Sequence, residues 1–181
     1  MTITLTDREM RYAHARALDV ERISRGKKTM ELTSDTGYKG YIGELAVKHY
    51  LGESMEIPVN PIGGDPGYDI DWEGYKIDVK WSVKGALLMI CNDIWKPGKC
   101  DILFAVSQGK ELRDVHFDGW ILEDDFVQVA VTGRKGLTPK CRSIEVSKLN
   151  QIGTWGLRDQ LKELEIKPTP KKRLPKESLF A

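Results

Sequence analysis

The chain has 181 residues, 40% hydrophobic and 30% charged, with a formal net charge of +1. This is an ordinary composition for a soluble globular protein, long enough for one domain with a real hydrophobic core and too short for two. Apolar runs such as ILFAV at 102–106 are too short to span a membrane, and the start MTITLTDREM lacks the basic and apolar segments of a secretory signal, so cytoplasmic residence is expected.

The near-even charge balance means that any phosphate-binding surface must come from segregating charge rather than from bulk basicity. Cys91, Cys100 and Cys141 are odd in number, widely spaced and without a histidine pattern. They are expected to be reduced thiols, not a disulfide framework, a zinc site or an iron–sulfur cluster.

Residues 6–25 read as a first helix, with Thr6 as cap and Asp7 and Glu9 at the positive end of its dipole. A polar, glycine-containing stretch follows. YIGELAVKHYL at 41–51 reads as a second helix closed by Gly52. Ile42, Leu45, Ala46, His49 and Tyr50 form one stripe, while Val47 and Leu51 lie on another side, which predicts cover from more than one layer.

From residue 56 the period changes. EIPVN is a short extended segment, and PIGGDPG is turn-rich. YDIDW and YKIDVKWS alternate as half-buried strands do, with Glu73-Gly74 as the turn between them. ALLMIC, DILFAV, RDVHFDGWIL, VQVAV and CRSIEV read as further strands, and QLKELEI as a short closing helix. The expected unit is a single domain over 1–167, followed by a flexible basic tail over 168–181.

A two-residue turn at Glu73-Gly74 sets the hairpin register: Trp72 faces Tyr75, Asp71 faces Lys76, Ile70 faces Ile77 and Asp69 faces Asp78. Strand alternation then puts Asp69, Asp71, Lys76, Asp78 and Lys80 on one face, with Ile70, Trp72, Ile77 and Val79 on the other. Two carboxylates opposed across a ladder destabilise it, and a divalent cation with hard oxygen ligands such as Mg²⁺ offsets that repulsion. The Val79 backbone carbonyl is a further candidate oxygen, and Lys80 can hold or polarise water on the metal side. The plainer reading is an amphipathic hairpin with a solvated charged face and an Asp71–Lys76 surface pair. The acidic-x-lysine tripeptide alone carries little, because Glu165-Ile166-Lys167 matches it without an acidic hairpin partner.

Helix Glu44, then Gly67-Tyr68-Asp69, then Ile77-Asp78-Val79-Lys80 across a hairpin resembles the PD-(D/E)XK nuclease superfamily of restriction-endonuclease-like and Holliday-junction-resolvase-like folds. The resemblance covers roughly 38–107, with Tyr68 in place of the family's proline and Asp78 where glutamate is commoner. It implies an α/β fold with a central mixed β-sheet flanked by helices, an αβββαβ core read as a helix, a three-stranded meander and a crossover to a further strand, DILFAV. It further implies a DNA endonuclease that hydrolyses phosphodiester bonds through metal-activated water. Asp69, Asp78, Glu44 and the Val79 carbonyl would then hold Mg²⁺, with Mn²⁺ as a substitute, and Lys80 would orient the nucleophile. Structure-selective junction cutting, with a homodimer as the working form, and a non-catalytic nucleic-acid-binding module of the same fold are the alternatives.

Ser82 and Lys84 continue the Lys80 face and could touch phosphate. Arg134, Lys135, Lys140 and Arg142 form a basic cluster that reads either as solvated turns or as DNA contacts. Asp114, His116 and Asp118 alternate with Val115 and Phe117 and read as a solvated strand face. His14 and His49 suit helix packing. In the tail, Lys171, Lys172, Arg173 and Lys176 could add phosphate attraction, and Ser178-Leu179-Phe180 is similar to the short peptides by which replication proteins grip sliding clamps. No phosphate-binding loop of the GxxxxGK[ST] type, no GxSxG and no Cys–His signature occurs.

Overall fold

Thr6 starts the first helix, α1 (Asp7–Ser24), through a reciprocal cap. Its hydroxyl accepts the Glu9 N–H at 3.3 Å, and the Glu9 carboxylate accepts the Thr6 N–H and hydroxyl, each at 2.7 Å. The computed structural model describes residues 1–24, 34–55, 67–82, 86–91, 97–132, 141–153 and 156–168. The segment EIPVN, the tail beyond Pro168, and Lys84, Arg134, Lys135 and Lys140 lie outside them.

The second helix, α2 (Ser34–Leu51), begins well before the expected start at 41. Gly37 and Gly40 weaken local helix propensity, but burial against α1 and a sheet overrides it. Ile42, Leu45, Ala46 and Val47 are all fully buried, as an apolar surface on two sides requires. Gly43 permits the close approach: a Cβ there would lie 3.0 Å from Val106 Cγ2 and 3.5 Å from Val79 Cγ1.

Strands β1 (Thr2–Thr4), β2 (Ile70–Trp72), β3 (Tyr75–Trp81), β4 (Leu87–Cys91), β5 (Ile102–Gln108) and β6 (Asp114–Leu122) precede helix α3 (Glu123–Val129). Strands β7 (Val131–Thr132) and β8 (Cys141–Glu145) and helix α4 (Gly156–Glu163) follow. Five strands form one mixed sheet in the order β1-β6-β5-β3-β2, in which only β3 and β5 run parallel. The remaining three form a second sheet, β4-β8-β7.

The larger sheet is covered on both faces. Helices α1, α2 and α4 close one face over Ile77, Ile102, Phe104 and Trp120. The second sheet and α3 close the other, joining Leu88, Ile90, Phe126 and Ile144 to Leu103, Ala105 and Ile121. Each such fully buried large side chain contributes roughly 1.5–3 kcal/mol of transfer free energy. Among the described residues no helix is long and apolar enough to cross a membrane.

Three expectations need correction, and one short strand escaped the sequence reading. The meander does not form, because β4 leaves the main sheet to pair with β8 and bury Leu88 and Ile90 in the second core. VQVAV is not one strand: Glu123, Asp124 and Asp125 favour a helix N-terminus, Phe126 anchors a helix that runs to Val129, and Val131 alone enters a strand, β7, with Val129 and Val131 exposed. The three-residue β1, too short to show a period, pairs with β6. Cys141 is disulfide-bonded and stands opposite Cys91 in the β4–β8 ladder, whereas Cys100 is a free, buried thiol. Cross-strand adjacency of this kind leaves no trace in sequence spacing.

Candidate functional site

The β2–β3 hairpin has the predicted turn, with positive φ at both Glu73 (50°) and Gly74 (91°). Its pairs are Trp72–Tyr75, Asp71–Lys76 and Ile70–Ile77. Arg158 of α4 holds the turn from outside, pairing with the Glu73 carboxylate and lying 5.7 Å from the Trp72 ring centre. The Tyr75 hydroxyl donates to the Ile166 carbonyl at 2.7 Å.

At Asp69 the ladder changes. The Asp69 N–H donates to the Ile77 carbonyl at 2.9 Å, so Asp69 and Ile70 both address Ile77 and Asp69 is displaced from its expected place opposite Asp78. Its carboxylate instead accepts the Val79 N–H at 2.7 Å. A side chain thus takes the place of a neighbouring strand along β3, and the Val79 backbone faces that edge.

Asp78 and Lys80 pair in register with Leu103 and Ala105, on the face toward the second sheet. Glu44 comes from α2, on the opposite, Val79 side. The four residues therefore do not share one strand face. They wrap the open edge of β3 from helix layer to second sheet.

Their charges interact strongly. Asp78 is buried and forms an ion pair with Lys80. Burial pushes the Asp69 carboxyl well above the usual range, repulsion from Glu44 and Asp78 adds to this, and Lys80 and the Val79 N–H oppose it. Glu44 is pushed up to about 7, first by burial and then by Asp78, against the attraction of Lys48, Lys80 and Arg16. Both side chains keep some solvent contact. Among the described residues no hydrogen-bond donor reaches the Glu44 carboxylate, and only Oδ2 of Asp69 accepts a bond.

The outlying expected residues are placed differently. Ser82 is buried, and its hydroxyl donates to Asp118 at 2.5 Å, so it offers no surface group to phosphate. Asp118 also accepts the Ser107 hydroxyl at 2.8 Å. It is the extra residue of a bulge, since Ala105 pairs with Gly119 and Val106 with Phe117. That insertion turns Asp118 inward and overturns its reading as solvated, while Asp114 and His116 bond to Thr4 and Thr2 on the outer face. Arg142 donates to the Val127 carbonyl at 2.9 Å, holding the last turn of α3. His14 packs edge-on against Tyr38, and His49 lies exposed, 3.2 Å from the Glu9 carboxylate.

Two buried cations escaped the sequence reading. Lys48 follows Glu44 by one helical turn, a spacing that could have flagged it. Arg16 sits on the buried stripe of α1 with Glu9, Ala13 and Ala17, and helical period alone could have found it.

Oxygen-only donors with a lysine beside them can hold a hard cation and stabilise charge at a phosphate. Among the described residues no three His, Cys, Asp or Glu side chains are already drawn up as a metal cage. No protein-family model, curated protein or solved structure matches the chain.

Proposed function

We propose that the chain is a Mg²⁺-dependent DNA endonuclease with a PD-(D/E)XK site made of Glu44, Asp69, Asp78 and Lys80. The observation that carries this reading is the gathering of three carboxylates and a lysine around one strand edge, with two of the carboxyls held far above their ordinary range. Such repulsion destabilises the fold and is relieved by a bound cation. The donor set fits one: Glu44 and one oxygen of Asp69 have no competing donor among the described residues, and the Val79 backbone lies at the same edge. Glu44, Asp69, Asp78 and the Val79 carbonyl would hold Mg²⁺ or Mn²⁺. When bound, the ion supplies a lowered water pKa and charge neutralisation at the phosphate.

The chain's own groups do the rest. Glu44 would hold the ion or its water from the helix side, and its pKa, pushed up to about 7 without metal, reflects the burial and repulsion that a bound cation relieves. Lys80 is held by Asp78 in the resting state and stabilises negative charge as it grows at the phosphate. On this reading helix α2, strands β2 and β3 and the parallel strand β5 would stand for the helix, two strands and parallel partner of a restriction-endonuclease core, while β4 does not take the third meander place.

Incubating the protein with linear, circular, single-stranded and branched DNA in Mg²⁺ and in EDTA tests the reading. Cleavage in Mg²⁺ alone is expected, and preference for branched DNA would select the junction-cutting form. DNA binding without cleavage of any substrate would instead favour the non-catalytic module.

A further inference from the structure

The hairpin register sets Lys76 opposite Asp71, the partner that a surface ion pair would use. The ammonium does not take it. It lies 5.6 Å from the centre of the Tyr68 ring, and among the described residues it forms no ion pair. Lys76 is partly exposed and stands two residues before Asp78 on the same face of β3. Tyr68 directly precedes Asp69 and packs on the second core. The cation therefore borders the acidic edge on its second-sheet side.

Lys99 reaches the same border from the loop before β5. A Cβ at Gly67 would lie 2.6 Å from Lys99 Cβ and 2.9 Å from its Cγ, so the lysine stem runs across the bare Gly67 backbone. The loop that carries it is fixed. The Gly98 N–H donates to the buried Glu123 carboxylate at 2.6 Å, and Cys100 is buried. Asp101 then ties the loop to β3: its N–H donates to the Lys76 carbonyl and its carboxylate accepts the Lys76 N–H, both at 2.7 Å. Lys99 itself is exposed and forms no ion pair among the described residues.

Two solvent-facing cations thus flank Tyr68, their backbones locked together and their charges not neutralised by a carboxylate. Groups fixed in place before binding lose less freedom when a ligand arrives. Lysine is a compact point charge, suited to the phosphates of a strand rather than to the edges of its bases.

We propose that Lys76 and Lys99 form a phosphate-binding rim on the Tyr68 side of the acidic site, where the DNA backbone runs to one side of the phosphate to be cut. The proposal rests on the nuclease reading above and deepens it by giving the side from which the backbone is held. The rim supplies an attraction that the gathered carboxylates, taken alone, would deny to a polyanion. It also explains how a chain of net charge +1 can engage DNA: cations left without acidic partners are placed beside the site rather than spread over the surface.

The test is equilibrium binding of a labelled duplex oligonucleotide in Ca²⁺ across a salt series. The proteins are wild type, Lys76→Gln, Lys99→Gln, the double variant and Lys110→Gln, with a melting temperature for each. Lys110 is exposed beyond the other end of β5 from Lys99 and controls for surface charge in general. Each single rim variant should reduce the slope of log affinity against log salt by about one. The double variant should reduce it by about two and weaken binding about tenfold or more at moderate salt. All should melt close to wild type, because the substituted side chains lie at the surface. Lys110→Gln should keep the wild-type affinity and slope.

Wild-type affinity and slope in the double variant overturn the proposal. An equal loss in Lys110→Gln overturns it as well, since the attraction would then belong to the whole surface. Binding that weakens only in step with a lower melting temperature marks the lysines as structural and has the same consequence. Wild-type cleavage in Mg²⁺ with binding that ignores both lysines sinks this inference alone. Binding that depends on both lysines, without cleavage of any DNA, sinks the nuclease reading alone.

Discussion

The Asp69 carboxylate accepts the Val79 N–H at 2.7 Å, so one side chain both completes the edge of β3 and adds to the negative charge gathered there. The two roles separate by substitution. Asp69→Asn keeps an oxygen for the Val79 N–H and removes the charge that repels Glu44 and Asp78. Without metal it should melt above wild type, and it should not cleave DNA. Asp69→Ala leaves the N–H unpaired and should lie below Asp69→Asn by about 1–3 kcal/mol. Equal melting of the two variants would contradict the bonding role.

Stability of the metal-free protein should fall with rising pH across the site's titration. A carboxyl whose folded pKa is raised binds its proton more tightly in the folded state, so its contribution is fully present below the unfolded value of 4.5 and is lost as pH rises through about 7 for Glu44. Asp69, also raised, acts in the same direction. Thermal melts in EDTA from pH 4.5 to 8 check this, and Glu44→Gln should flatten the slope. Saturating Mg²⁺ should raise the melting temperature most at the upper end of the range, where the carboxylates are free of protons.

The Thr6–Glu9 cap shows the reverse sign. Burial would raise the Glu9 carboxyl, but its bonds from the Thr6 N–H and hydroxyl, aided by His49, hold it below the ordinary value. Its stabilisation is therefore present at neutral pH and is lost as pH falls through the folded value. Thr6→Ala should cost about 1 kcal/mol at pH 7 by chemical denaturation, and less in acid.

Asp118 anchors two buried hydroxyls, Ser82 at the end of β3 and Ser107 in β5. Asp118→Ala strands both and should destabilise by on the order of 2–3 kcal/mol. Asp118→Asn, which keeps one acceptor, should lie between it and wild type. Urea denaturation of the three proteins settles the order.

What was legible in the sequence follows from the range of the forces involved. The Glu73-Gly74 turn and the three ladder pairs behind it are local, and Gly74 supplies one of the two positive φ values the turn needs. Helix α1 was likewise readable from Thr6 and its acidic first turn. The sheet assignment of β4 was not, because ALLMIC is equally apolar whether it joins β3 or β8 and only the three-dimensional competition decides. Asp118 was misread because one inserted residue reverses the alternation on which the reading depended. Within the site, residue types and order were legible. The displacement of Asp69 and the approach of Glu44 from the opposite layer were not, since both depend on where α2 rests on the sheet.

The most direct test of the central claim is single-turnover cleavage of DNA in Mg²⁺ by wild type and Asp78→Asn, with both proteins shown to be folded by circular dichroism. Asp78→Asn keeps the size of a buried side chain and removes one of the gathered charges. The account predicts cleavage by wild type that stops in EDTA, and a loss of at least about 100-fold in Asp78→Asn, as expected when a group holding the reaction's cation is removed. Cleavage by Asp78→Asn at the wild-type rate, or wild-type cleavage that persists in EDTA, would contradict it.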